Sequence, residues 1–123
     1  MTISLNLPFP VPLSACFHNV RGRGRATTPR YAAYQREAGK MILAQGSPKV
    51  AGPVVLEVDF TAPDRRARDG DNLLKCVFDT LVKAGVIEDD NNRVIVASSF
   101  RWVHDQTPCR VTVRPVAASV GAA

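Results

Sequence analysis

At 123 residues, 46% of them hydrophobic and 22% charged, the chain is the size of a single domain with one core and is not a largely disordered segment. Its net charge of +5 comes with twelve arginines against four lysines, a bias toward planar, bidentate recognition of phosphate or carboxylate. Cys16, Cys76 and Cys109 are odd in number and widely separated, which excludes a disulfide framework and a zinc ribbon and points to a reducing cytoplasm.

Alternation over residues 2 to 7 predicts a first strand, and Pro8, Pro10 and Pro12 then force an extended or turning path. The same prolines interrupt the only apolar stretch near the start, so no signal peptide is expected, and no run approaches membrane-spanning length. The expectation is a soluble cytoplasmic protein with no membrane partner. Residues 17 to 30 read as a loop, and residues 1 to 50 carry seven basic residues against the single acid Glu37. Within that loop, Arg21, Gly22, Arg23, Gly24 and Arg25 combine charge with flexibility, as in an arm that moulds onto phosphates, although a solvated loop has the same composition.

Thr28 before Pro29 is an N-cap followed by proline at the first helical position. It opens a helix that carries Tyr31, Tyr34, Ala38, Met41 and Ile42 at helical spacing. After the breakers Gly46, Ser47 and Pro48, residues 53 to 60 are β-branched and alternating, and read as a strand leading into a basic loop over 61 to 70. Residues 72 to 83 then place Leu73, Leu74, Val77, Phe78, Leu81 and Val82 on one stripe of a helix that Gly85 closes. Runs 94 to 103 and 110 to 113, joined through Asp105 to Pro108, read as a hairpin, and the small-residue tail 117 to 123 reads as frayed. The predicted architecture is α+β, a small mixed sheet packed against helices in one domain over 1 to 123, with the strand and proline-rich segment at 1 to 16.

The chemistry concentrates in residues 65 to 75 and 88 to 90. Two residues apart in extended chain, Asp69 and Asp71 project from the same side just before the helix. The helix leads away and Gly85 turns the chain back, which returns Asp89 or Asp90 to that neighbourhood. Three carboxylates together repel unless they share a hard cation, and Mg²⁺ is held by a few carboxylates with water and substrate phosphate. Such a site suits phosphodiester hydrolysis. Lys75, one turn into the helix, adds a positive charge near the developing oxyanion, and Arg65, Arg66 and Arg68 are placed to hold neighbouring phosphates.

Each residue also has a simpler job. Asp71 suits a helix N-cap, Asp69 a turn, the 88 to 92 segment a solvated turn, and Lys75, Asp79 and Lys83 an i, i+4 ion-pair ladder. Three rival functions follow. A restriction-type nuclease needs a lysine two residues after an acid, and no Asp-x-Lys or Glu-x-Lys occurs. A non-catalytic basic DNA-binding module would use only the arginines. A zinc protein would need Cys16, His18, Cys76, His104 and Cys109 at ligand spacings they do not have.

Arg65 to Lys75, with Phe78-Asp79, Ala84-Gly85 and Asp89-Asp90, resembles the core of the RusA family of Holliday-junction resolvases across residues 61 to 96. That resemblance implies an α+β homodimer, a crossover junction endodeoxyribonuclease of recombination and repair. Such an enzyme uses acidic residues and Mg²⁺ to nick two opposing strands of a four-way junction symmetrically. By motif position, Asp69 and Asp71 correspond to the family's paired acids, Asp90 rather than Asp89 to the later acid, and Lys75 to its helix lysine; Asn72 and Asp79 also match. The expected site is therefore catalytic Asp69, Asp71, Lys75 and Asp90, with the three acids holding Mg²⁺. The expected DNA contacts are Arg21, Arg23, Arg25, Arg65, Arg66 and Arg68. Gly70 stands where the family often has a larger residue, which implies a looser loop between the paired acids, and the Arg-Gly arm lies outside the resemblance.

Overall fold

Val54, Leu56, Val58 and Phe60 are buried while the residues between them are half-buried or exposed, the alternation of a strand with one covered face. In the computed structural model, which describes residues 1–116, that strand occupies the middle of a sheet. The elements in chain order are β1 (Ile3–Leu7), β2 (Phe17–Val20), β3 (Gly24–Thr27), α1 (Pro29–Ala44), β4 (Val54–Thr61), α2 (Asp71–Lys83), β5 (Ile95–Val103) and β6 (Cys109–Pro115). The tail at 117 to 123, expected to fray, lies outside the described residues.

The main sheet has the order β1-β6-β4-β5, and α1 and α2 supply the apolar layer on one face, so the α+β expectation holds. The other face is polar and carries cross-strand ion pairs, Arg101 to Asp59 at 2.8 Å and Arg114 to Glu57 at 3.7 Å. The expected terminal hairpin does not form. Instead β6 runs antiparallel to β4 on one side and β5 runs parallel to it on the other. The most apolar strand thus has both its edges paired, whereas a β5–β6 hairpin would put β4 at an edge with unpaired backbone groups. The β4 to β5 connection is long enough for a parallel pairing because α2 lies within it.

Both helices are bounded as their sequences require. The Thr28 hydroxyl oxygen accepts the Tyr31 amide at 3.2 Å and donates to the Ala15 carbonyl at 2.6 Å, tying the start of α1 to the segment before β2. The end of α2 is a Schellman closure. Gly85 takes φ of +76°, its amide bonds the Val82 carbonyl at 3.0 Å, and the Val86 amide bonds that of Leu81 at 2.9 Å. Residues 17 to 30, expected as a loop, contain the β2–β3 hairpin, with Asn19 opposite Arg25 and Val20 opposite Gly24. Gly22 and Gly24, at φ of +78° and +77°, make the turn that bulkier residues would strain.

Candidate active site

The helix α2 begins on an N-cap, Gly70, that has no side chain with which to cap. Asp71 is therefore a first-turn residue and not the N-cap. Its carboxylate, like that of Asp69, is exposed and has no side-chain bond or ion-pair partner among the described residues. Asp69 contributes only its carbonyl, which accepts the Asn72 amide at 3.2 Å. Anionic groups at this end of the helix are favoured by its dipole.

Gly70 is not loose. A Cβ there would run into Cδ1, Cε1 and Cζ of Phe100 on β5, whose ring fills the space a side chain would take. The loop between the paired acids is held by β5, contrary to the looser loop that the glycine implied.

Lys75 lies four residues after Asp71, on the same helix face. Its ammonium sits 3.0 Å from Asp79 Oδ1 and 3.0 Å from Asp90 Oδ2. The two carboxylates raise the lysine's pKa, Asp79 most, and Lys75 in turn holds the Asp90 carboxyl below the usual carboxylate range. The Tyr31 hydroxyl extends this network by donating to Asp79 Oδ2 at 3.3 Å. The ladder continues differently at Lys83, which donates to Gln35 Oε1 at 3.3 Å.

The turn at 88 to 92 separates its three acids by role. Glu88 accepts the Gly52 amide at 2.9 Å, pinning the turn to the loop before β4. Asp89 is occupied within the turn, accepting the Asp90 amide at 2.7 Å and the Asn91 side-chain amide at 3.1 Å. Asp90 alone of the three reaches the ammonium on α2.

Carboxylates are the hard oxygen donors that Mg²⁺ takes, so the donor types fit such an ion. Their placement within one chain does not close a ligand shell. Among the described residues no three His, Cys, Asp or Glu groups lie together as metal ligands. Asp69 lines a pocket of about 530 Å³ with Arg30, Arg66, Arg68 and Asn72, whereas Asp90 lines a separate one of about 310 Å³ with Lys75, Asp79 and Tyr31. The zinc alternative finds no ligand group among the described residues either, and its three cysteines are buried.

The arginines differ in freedom. Arg68 is bound at 2.7 Å by Asp64, a residue the sequence reading passed over, and lies 5.5 Å from the Phe9 ring with only 18% of its side chain exposed. Arg66 is drawn to the same carboxylate at 3.2 Å. Arg68 first, and then the Arg66 amide, hold the Asp64 carboxyl well below its usual range. The signal for this clip was present as Asp64 four residues before Arg68. Arg65 is exposed and enters no ion pair among the described residues. On the hairpin, Arg21 and Arg23 are exposed at the turn, while the Arg25 guanidinium lies 4.1 Å over the Phe17 ring.

Residues 10–114 match the family model described as Endodeoxyribonuclease RusA. The chain is 36% identical over 89 residues to the crossover junction endodeoxyribonuclease RusA of Escherichia coli strain K12, covering 72% of this chain and 74% of that protein. It is 37% identical over 90 residues to the protein of the same name from Shigella sonnei, with 72% and 74% covered. It is 36% identical over 92 residues to that of Enterobacteria phage 82, again with 72% and 74% covered. The matched region takes in β4, α2, β5 and all but the last residue of β6, which places this fold among the endodeoxyribonucleases and sets aside a non-catalytic basic module. The chain belongs to the RusA family. No helix among the described residues is long and apolar enough to cross a membrane.

Proposed function

We propose that this protein is a Mg²⁺-dependent resolvase that cuts four-way DNA junctions by paired symmetric nicks, as a homodimer. The observation that carries the reading is the start of α2: Asp69 and Asp71 stay exposed and unpaired there, one turn from the lysine that holds Asp90. Neither acid is used as the helix cap, which leaves both carboxylates open to a ligand. Asp69, Asp71 and Asp90 would hold the metal, which requires Asp90 to exchange its Lys75 contact for the ion. The ion would supply an activated water and charge stabilisation at the scissile phosphate.

The chain's own groups position the substrate. Asp79 keeps the Lys75 ammonium in place independently of Asp90, so a positive charge remains available to the oxyanion that develops during cleavage. Arg65 and the hairpin arginines Arg21 and Arg23 bind neighbouring phosphates, and the Asp64 clip orders the loop that presents Arg65. Paired nicks on opposing strands need two sites, and a chain with one acidic helix start supplies one, which supports a two-fold dimer.

The test is a synthetic four-way junction incubated with the purified protein. Two nicked duplexes in Mg²⁺, binding with little cutting in Ca²⁺, and no cutting in chelator are expected. Cleavage indifferent to chelator would refute the metal mechanism, and light scattering that finds only monomer during paired cutting would refute the dimer.

A further inference from the structure

Near its end, β5 carries the chain's single tryptophan, which the cleavage chemistry does not require. Trp102 leaves 39% of its surface in solvent. Its ring lies 5.2 Å from that of Phe60 and 6.3 Å from that of Phe9, at interplanar angles of 43° and 32°. Those two rings fix the orientation of the indole while part of it stays open, as a preformed stacking platform does. Beside it is a pocket of about 530 Å³, bounded by Trp102, His104 and Thr61 on one side and by Arg65 and Arg66 of the loop after β4 on the other. Asp64 pairs with both Arg66 and Arg68, which leaves Arg65 at the rim as the arginine of this loop with no ion-pair partner among the described residues.

We propose that this pocket is a subsite for an unpaired nucleobase of the branched substrate, with the base stacked on Trp102 and the adjoining phosphate held by Arg65. The inference rests on the reading of branched DNA as substrate and adds to it a base-holding position. An aromatic face with a neighbouring cation is the combination that binds unpaired strands, because every base has a π-face and every nucleotide a phosphate. Bases inside a duplex cannot offer that face; bases unstacked at a branch point can. An apolar protein surface docking here would instead bury Arg65 without a partner.

The position also bears on cleavage. Phe100, two residues before Trp102 and on the same face of β5, packs against Gly70 between Asp69 and Asp71. A base seated on Trp102 therefore lies next to the strand position that braces the paired acids, and fixes which phosphate is presented to them.

Trp102 emission reads the subsite directly, since no other tryptophan is present. A short oligothymidylate is expected to quench it. A strand of the same length built from abasic sites should bind about tenfold more weakly and leave the emission unchanged. Trp102→Phe should keep the preference for the base-bearing strand, and Trp102→Ala, checked for native circular dichroism, should bind both strands alike. Equal quenching or equal affinity of the two strands for the parent protein overturns the proposal. So does emission that changes with protein concentration alone, which would mean that a second copy covers this strand. Junction binding and Mg²⁺-dependent cutting are followed on the same preparation: cutting without base-dependent quenching removes the subsite alone, whereas failure to bind any junction removes the resolvase reading as well.

Discussion

Gly70→Ala is expected to destabilise this protein even though its backbone suits alanine. Gly70 takes φ of −64° and ψ of −32°, a helical conformation open to any residue. In open space the substitution there would stabilise by about 0.4–1 kcal/mol, through lost freedom of the unfolded chain. Phe100 reverses the sign, because the new methyl would meet three atoms of its ring. The backbone is held by the Leu73 amide, which bonds the Gly70 carbonyl at 3.0 Å, so the ring has to swing outward. Phe100 is already 39% exposed, so the burial at stake is the remaining three fifths or so of its surface. A fully buried phenylalanine contributes about 1.5–3 kcal/mol, so the loss is about 1–2 kcal/mol and the net destabilisation about 0–1.6 kcal/mol, centred on about 0.8 kcal/mol. Urea midpoints of Gly70→Ala, measured in the parent and in a Phe100→Ala background, give the sign in each. The substitution should stabilise once the ring is gone. Stabilisation in the parent background, or the same change in both, would refute the packing of Phe100 between the two acids.

Asp90→Asn should keep the fold and junction binding but lose most cleavage, while Asp89→Asn, which retains an oxygen for the Asp90 amide, should cut nearly as the parent does; equal losses in a cleavage time course would remove the distinction. Arg65→Ala should weaken binding to many sequences alike and lower the salt slope by about 1, whereas Arg68→Ala should act mainly through a disordered 62–68 loop. An unchanged slope for Arg65→Ala would assign Arg65 to solvent. Burial pushes the Cys76 and Cys109 thiols up to about 12 and raises Cys16 above its ordinary value, so all three stay protonated at pH 8, and a thiol reagent at that pH should label none of them before unfolding. Rapid labelling of the native protein would contradict that burial.

What the sequence makes legible is whatever its local periodicity encodes. The apolar stripe of α2 with Gly85, the Thr28-Pro29 start of α1 and the alternation of β4 each carry their own signal, and each element forms where that signal lies. The pairing of β5 and β6 does not, because neighbours in sequence are the default partners and only the burial of β4 on both edges decides otherwise. The β2–β3 hairpin is hidden by its composition, with glycines and arginines where a strand would show apolar alternation. At the site, Asp69, Asp71 and Lys75 can be picked out from spacing, and Asp90 only by resemblance. Its difference from Asp89 lies in which hydrogen bonds each carboxylate makes, and composition does not record that. Asp79 and Asp64 needed partners at i−4 and i+4 to be recognised as counter-ions to Lys75 and Arg68.

The most direct test of the whole account uses a supercoiled plasmid that extrudes a cruciform, followed by gel electrophoresis in Mg²⁺ and in chelator. A dimer that nicks opposing strands within one binding event yields linear plasmid from the first time points, and none of it in chelator. Open circles alone, or linear product that persists in chelator, would contradict paired, metal-dependent resolution.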